Sequence, residues 1–486
     1  MALNLLRNSR VFFTTNVNAT TGVVQPTGHT TASTYEIQVL EGFSFSQNSN
    51  SEAITVNEAG TTPSRGQRSF NTSLAPVDFS FSSYIRPYLS TNVKCEEAVL
   101  WNALAGNTVV NTPLAKLGTF TNIAYTTATN LLTITGATMS VTGLAAGDDV
   151  VLNGIIIAGG GTASEMKVLN GPAKVASIAA GTITLNPHNP GAVNIATTNS
   201  TVTGMNFFRS PWSEATTQSI AAFHDSNRNQ LQKFGMYILV DNVTYQIDNA
   251  AMSQATIDFG LDGIAMVAWT GQATALTQIA NNITTATPGT FGGGTVTGSY
   301  TQKVTTAPYI TNKLSSATLK LAKDLGSITV ANGVYYVALT GGSITINNNV
   351  TYITPANLGT VNVPAAYFTG TRAISGSVTA YLNTGAVTGF TGGGTGNLLR
   401  DMLAAAATAI EPMFAIEIAV GGSNNALKVE LQMPSVSIAV PTIDAQAVMS
   451  TSINFTAAAS ALTGVPATDA YDLTRTNDLT IRYYAT

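Results

Sequence analysis

The sequence predicts a mainly β protein whose plan is laid down twice in tandem and interrupted once by a smaller β-rich insertion. Three observations predict it. Only 9% of the 486 residues are charged while 44% are hydrophobic, against roughly 25% charged in an ordinary soluble domain. The polar surface must therefore come from Thr, Ser, Asn and Gln, which with Val, Ile and Gly favour strands and turns over long helices. Second, the same succession of elements is read in both halves, with a helix in the same slot of each. Third, the first half carries roughly 130 residues between its helix and the next strand (Leu104 to Phe234), where the second half carries a few. That is too long for a structureless loop.

Taken in order, the first half opens with a strand at Arg10–Thr14, then Tyr35–Leu40, a turn at Glu41-Gly42 and the alternating run Phe43–Gln47. Asn48–Val56 follows, and after a turn-rich stretch Asp78–Ile85 alternates apolar and polar residues with period two. A short helix is expected over Glu96–Leu104. Its acidic pair Glu96-Glu97 suits the positive end of the helix dipole, and Val99, Leu100, Ala103 and Leu104 form its buried stripe. In the second half Tyr309–Leu321 echoes the opening strand, Tyr335–Thr354 echoes Tyr35–Val56, and Ile374–Leu382 echoes Asp78–Ile85. The helix returns at Asn397–Ile410 with Leu398, Leu399, Met402 and Leu403 as its stripe. Beyond the helices Phe234–Val243 matches Met413–Gly422, Val243–Phe259 matches Leu427–Val440, and Asp262–Trp269 matches Ala447–Phe455.

The insertion, Asn107 to about Gly204, is expected to hold strands at Leu131–Thr135, Asp149–Leu152, Ile155–Ala158 and Ile183–Leu185. It is large enough for a small β-sandwich or barrel. The chain then divides into a first repeated unit (1–106 and 205–290), the inserted domain (107–204), a Gly/Thr-rich linker (291–307) and a second unit (308–486).

The same residues argue against several function classes. A formal charge of −4 leaves no basic footprint for gripping nucleic acid, and sparse charge weakens the self-repulsion that opposes dense assembly. The single cysteine, Cys95, excludes an internal disulfide and is expected as a buried structural thiol. No apolar stretch reaches the ~18 residues of a membrane span. The stretch Met1–Arg10, broken by Asn4, Arg7 and Arg10, does not read as a signal peptide, so secretion is not expected.

The chemical candidates are weak. His29, His188 and His224 lie far apart in polar settings, without metal-ligand spacing, and are expected at the surface. Gly292–Gly294 and Gly392–Asn397 lack the Gly-Lys-Ser/Thr of a phosphate loop and are expected as flexible linkers. Asp148-Asp149 has no further spaced oxygen ligands for calcium and reads as a turn entering a strand. Phe43, Phe45, Phe79 and Phe81 alternate at strand spacing, which core packing explains without a base-stacking platform. There is no nucleophile with a base and no catalytic pair of carboxylates. Neither enzymatic activity nor a cofactor or metal is expected.

Five segments carry a resemblance: Leu3–Phe12, Gln47–Gly60, Arg65–Leu74, Thr340–Pro355 and Gly376–Asn383. They resemble the tail tube proteins of siphophages whose subunit has a duplicated tube domain. The resemblance implies that each half is a β-sandwich with a flanking helix, whose strands join neighbours in a barrel around a channel. A duplicated subunit implies a trimeric ring of six near-equivalent domains. About 24 strands at ~4.8 Å spacing and ~40° tilt make a barrel roughly 50 Å across, wide enough for a DNA duplex. The implied partners are other copies of the chain and other tail proteins. Genomic DNA would pass through the lumen without specific binding, and there would be no membrane insertion. The implied location is the virion tail, after synthesis in the host bacterial cytoplasm. The loop Asn57–Gln67, with Asn57, Glu58, Arg65, Gln67 and the adjacent Arg68, is the candidate for ring stacking; exposed charge pairs there contribute at most ~1 kcal/mol each. An alternative is another self-assembling or surface-binding β-rich protein of the fibre or surface-layer type.

Overall fold

In a computed structural model the structure describes residues 9–54, 68–106, 115–117, 120–126, 129, 131–136, 144–153, 155, 169–187, 195–202, 205–208, 212–215, 218–224, 231–241, 243–260, 263–279, 283, 285, 287–292, 294–314, 316–321, 334–383, 393–408, 413–421, 427–440, 442–444, 449–457 and 477–485. It is mainly β, in large antiparallel sheets, with two α-helices among these residues.

The first repeat begins with β1 (Ser9–Thr14), β2 (Thr34–Ile37), β3 (Ser44–Ser46), β4 (Ser49–Ile54), β5 (Arg68–Leu74) and β6 (Val77–Tyr84), then α1 (Ala98–Ala105). After the insertion come β7 (Trp212–Glu214), β8 (Ser219–His224), β9 (Phe234–Val240), β10 (Val243–Gly260), β11 (Met266–Ala273) and β12 (Ala275–Gln278). The second repeat has β13 (Ser316–Leu321), β14 (Val334–Val337), β15 (Leu339–Asn347), β16 (Val350–Ile353), β17 (Ala366–Thr369) and β18 (Ala373–Tyr381), then α2 (Thr395–Thr408). It ends with β19 (Met413–Val420), β20 (Lys428–Ile438), β21 (Thr442–Asp444), β22 (Ser450–Ala457) and β23 (Asn477–Tyr484).

The pairing repeats as well as the order. In the first repeat β1 lies between β2 and β9, β9 pairs β10, β10 pairs β11 and β12, β11 pairs β6, and β6 pairs β3. In the second, β13 lies between β14 and β19, β19 pairs β20, β20 pairs β22 and β23, β22 pairs β18, and β18 pairs β15. The hairpin β4–β5 has its counterpart in β16–β17. Even irregularities recur. The register slips between Phe234 and Met236 in β9 and between Phe414 and Ile416 in β19. The turn that follows takes a left-handed residue in each, Asp241 (φ 51) and Gly421 (φ 97), as a tight hairpin requires.

Each repeat is two sheets face to face. The long strand β10 bridges them: its first half pairs β9 and β12 in the outer sheet, its second half β11 in the other. Apolar side chains from both sheets and α1 merge into one core running through both repeats, from Phe13, Phe79 and Trp269 to Val378, Ile453 and Tyr483. At ~25 cal/mol per Å² of apolar area buried, this shared core couples the two repeats. Phe79 and Phe81 are inside it and Phe43 and Phe45 pack against it, as alternation at strand spacing predicts.

Helix α1 sits one or two residues from its expected place and buries Leu100, Trp101, Ala103 and Leu104. Trp101 meets Trp269 of β11 at 4.6 Å and Phe223 of β8 at 5.9 Å between ring centroids. Helix α2 buries Leu398 and Met402, while Leu403, expected on the same stripe, is exposed. Helix α2 meets the sheet at the edge strand β14, and a single strand covers fewer positions than a full helical stripe supplies.

The insertion forms a separate eight-stranded antiparallel sheet in the order 195–202, 120–126, 131–135, 182–187, 172–179, 149–153, 205–208, 115–117. Ile123, Leu132, Ile134, Leu152, Val175 and Leu185 belong to a core of its own. The sheet runs to Phe208, past the division at 204, because Asn206–Phe208 pair with Val151–Asn153. It touches the body through Val151, packed on Ile220 and Ala222, and through Asn153, which donates to Ser213 Oγ (3.2 Å) and Gln218 O (3.0 Å).

Two expectations are corrected. The 291–307 segment is packed, not loose: Phe291, Val296 and Tyr300 are buried with Phe12 and Tyr237 in a small third core. His29 is buried there too, not at the surface, beside the rings of Tyr237 and Phe291. Its Nδ1 is within hydrogen-bond distance of Thr34 Oγ1 (2.9 Å), which lets a polar ring sit in an apolar pocket. Burial holds its pKa below the usual 6.5. His188, Ile156–Ala158, Gly293 and Gly392 lie outside the described residues.

Candidate channel wall and assembly surfaces

The inner sheets of the two repeats are one sheet. In order across it run β3, β6, β11, the second half of β10, β15, β18, β22 and β21. One face of these eight strands carries the core residues Phe79, Trp269, Ile257, Ile344, Val378 and Ile453. Alternation then fixes the opposite face, and registers line it up. Asp258 is opposite Ser343, Ser343 opposite Ser377, and Ser377 opposite Asn454. Thr256, Thr345, Ser375 and Thr456 form the next row, with the Thr256 and Thr345 hydroxyls 3.1 Å apart. In the first repeat the face continues through Thr270, Ser80 and Ser44.

This face is hydroxyl-rich and has no basic residue. The eight strands contain no Lys, Arg or His along their wall segments, and Asp78 and Asp258 are exposed carboxylates on it. The sheet is concave over the second repeat, where a trough of ≈ 520 Å³ is lined by Ser343, Thr345, Ser375, Ser377, Asn454 and Thr456.

The repeats meet along this wall. Strand β10 pairs antiparallel with β15 from Gln254–Asn347 to Gly260–Gly341. Beside that joint, Asn348 Nδ2 donates to Leu104 O (2.8 Å) and Met252 O (3.3 Å). The hairpin β16–β17 docks on the first repeat: the Tyr352 hydroxyl donates to Asn249 O (2.7 Å), and that of Tyr367 to Leu231 O (2.7 Å). The hairpin β4–β5 has no such support; β4 is exposed throughout. Its strand β5 reaches the second arm at Asn362, whose O accepts from Leu74 N–H (2.8 Å) and whose N–H donates to Thr72 O (3.1 Å).

The two arms expose apolar side chains at matching positions: Ile54 at 47% and Ile353 at 48%, Phe70 at 52% and Phe368 at 52%. Of the stacking candidates Asn57, Glu58, Arg65, Gln67 and Arg68, the first four lie outside the described residues, and Arg68 is exposed at the start of β5. The apolar arm residues were invisible to a reading built on charge, although Ile54 and Phe70 stand out in a run otherwise polar.

Ionisable groups inside the body hold the frame together. Arg10 forms a bidentate pair with Glu36 (2.8 Å for each bond), and Lys303 adds a second cation at 3.5 Å. Burial raises the Glu36 carboxyl, but these two cations outweigh it and hold the pKa below the usual value. Arg86, almost fully buried, pairs with Glu96 (2.9 Å) and stacks on Tyr309 at 5.1 Å. Cys95 is buried, and burial pushes its thiol well up. Glu97, expected to complement the helix dipole, is also buried. Burial pushes its carboxyl to about 8, so at neutral pH it is mostly protonated and gives the dipole little charge. Among the described residues no three His, Cys, Asp or Glu come together in a metal-binding group. No helix there is long and apolar enough to cross a membrane.

A duplicated two-sheet unit, a continuous polar wall and an arm whose strand β4 is exposed throughout describe a part made to assemble. The chain is 27% identical over 467 residues to tail tube protein pb6 of Escherichia phage T5, a match that covers 95% of this chain and 74% of that protein. This chain is a relative of the phage tail tube proteins. No family model matches it. The match runs through both repeats and the insertion, so it concerns the whole plan and not one motif. It supports a structural part in a tail tube and, with that, a place in the virion tail.

Proposed function

We propose that three copies of the chain close into a ring, that rings stack into a tail tube, and that the phage genome passes through the lumen. The observation that carries this reading is the eight-stranded wall with its hydroxyl-rich face free of basic residues. Three copies of eight wall strands give 24, the number that makes a barrel roughly 50 Å across. A conduit for DNA should not hold phosphate, and a face with no Lys or Arg makes no counterion-releasing contacts. The chain acts as a structural part, with other copies and other tail proteins as its partners.

The insertion, which we assign to 107–208, decorates the outside of the ring. It rests on β8, and β8 extends the outer sheet through β23. The arms β4–β5 and β16–β17 make the contact to the next ring. Ile54, Phe70, Ile353 and Phe368 supply its apolar part, and the 57–67 loop with Arg68 its polar part.

Electron microscopy of the assembled protein with averaging tests this. The expected map shows hollow rings with three chains each, the insertion outermost and the arms between rings. Six chains per ring would remove the trimer, and a protein that stays monomeric in every buffer would remove the tube.

A further inference from the structure

The joint between the repeats shows what the two free edges of the wall fit. We propose that β21 of one chain pairs antiparallel with β3 of a second copy, in the register Thr442–Ser46, Ile443–Phe45 and Asp444–Ser44. The seam between chains then reproduces the β10–β15 joint inside each chain. This rests on the tube reading for its setting and goes beyond it by naming the strands and their register.

The argument starts from positions that the registers make equivalent. Ser44 faces Ser80 in the first repeat as Ser343 faces Ser377 in the second, so Ser44-Phe45-Ser46 stands where Ser343-Ile344-Thr345 stands. On the other side, Thr256, Ile257 and Asp258 pair with Ala268, Val267 and Met266. Thr442, Ile443 and Asp444 pair with Ser452, Thr451 and Ser450. Strands β11 and β22 are themselves equivalent, through Gly271 opposite Phe79 and Phe455 opposite Gly376. The triplet Thr-Ile-Asp therefore recurs at one strand position in both repeats.

Inside the chain, that triplet takes β15 on its far edge: Thr256 with Thr345, Ile257 with Ile344, Asp258 with Ser343. Its copy in the second repeat has no strand there. Among the described residues β21 pairs only with β22, and β3 only with β6. An exposed strand edge is a template for another strand, and here both the template and its complement already exist within the molecule. The two edges lie at opposite ends of the eight-stranded wall, so the contact is head-to-tail, the kind that generates a closed ring.

The test is a disulfide in the assembled protein. The double variant Ser46→Cys with Thr442→Cys, oxidised after assembly, should run as covalent dimers and trimers on a denaturing gel. Moving one cysteine two residues, to Ser44→Cys with Thr442→Cys, should cut the yield about ten-fold, since paired side chains are within reach and next-but-one neighbours are not. The pair Thr256→Cys with Thr345→Cys should close within one chain and give no ladder. Tubes that assemble without cross-links, or that link equally well in the shifted register, overturn the seam and leave the tube reading standing. Where the variant does not assemble, hydrogen exchange on the unaltered protein decides. Amides of 44–46 and 442–444 should gain about ten-fold protection on assembly, and unchanged exchange there in well-formed tubes overturns the seam. A protein that forms no rings in any buffer overturns the tube reading first.

Discussion

Glu97 sets a pH limit on the folded chain. Its carboxyl is pushed from the usual 4.5 to about 8, first by burial and then by the neighbouring Glu96. Between those values the folded state holds a proton that the unfolded chain releases. The stabilisation from this group is therefore complete below pH 4.5 and is lost as pH rises through about 8. One proton corresponds to a slope of about 1.4 kcal/mol per pH unit. Glu97→Gln keeps the shape without the titration, so its urea-unfolding free energy, measured on dissociated protein, should fall less steeply across this window. Equal slopes in the two proteins would show that Glu97 does not titrate this way. The position was legible in the sequence as a helix start, and the chemistry was not. Spacing suggested a carboxylate charged to suit a dipole, while in the fold the Cys95 and Tyr483 side chains meet Glu97 and it is buried. His29 misled in the same way, because the hairpin that covers it lies more than 260 residues along the chain.

At the scale of the elements, the two repeats solve one packing problem with exchanged partners. In the first, Phe79 of β6 faces Gly271 of β11; in the second, Gly376 of β18 faces Phe455 of β22. The ring lies over the glycine in both. A Cβ at Gly271 would collide with the Phe79 ring and come within 2.7 Å of Ala251 O, while one at Gly376 would lie 2.5 Å from Phe455 Cζ and from Ser343 O. Gly271→Ala should therefore destabilise the chain by ~1–3 kcal/mol, measured by thermal or urea unfolding of dissociated protein. The exchange Phe79→Gly with Gly271→Phe recreates the arrangement of the second repeat and should recover most of the loss caused by Gly271→Phe alone. A double variant no better than the sum of its singles would show that the two sites are independent. Element order, both helices and the repeat were all legible, because hydrophobic periodicity and the recurring helix survive divergence. This Phe–Gly exchange was not. It conserves volume across two strands while changing identity at each position, so the halves share little sequence where they share the most structure. Which polar face lines the wall was hidden for a related reason: alternation gives two faces, and only the register between strands tells them apart.

For the whole molecule, the decisive property is a wall that is polar without being cationic. Its wall strands carry carboxylates and hydroxyls, and the chain's 21 Lys and Arg lie elsewhere. If the wall lines a DNA conduit, reversing that character should convert passage into retention without preventing assembly. Ser377 suits the experiment. It sits mid-strand in β18 and lines the trough, away from the core and from both edge strands. Ser377→Lys places one cation per chain; in the proposed trimeric ring that is three per ring, which stacking would repeat along the lumen. A lysine stem can lie along the wall with its ammonium in water, so the tubes should form as before. Duplex DNA should then be retained by assembled Ser377→Lys tubes and not by unaltered ones. Retention should fall steeply as salt rises, since each phosphate contact releases counterions. Unaltered tubes that already hold DNA with the same salt dependence would remove the non-binding wall from the argument. Ser377→Lys tubes that form normally yet bind no more DNA than before would show that this face does not line the lumen.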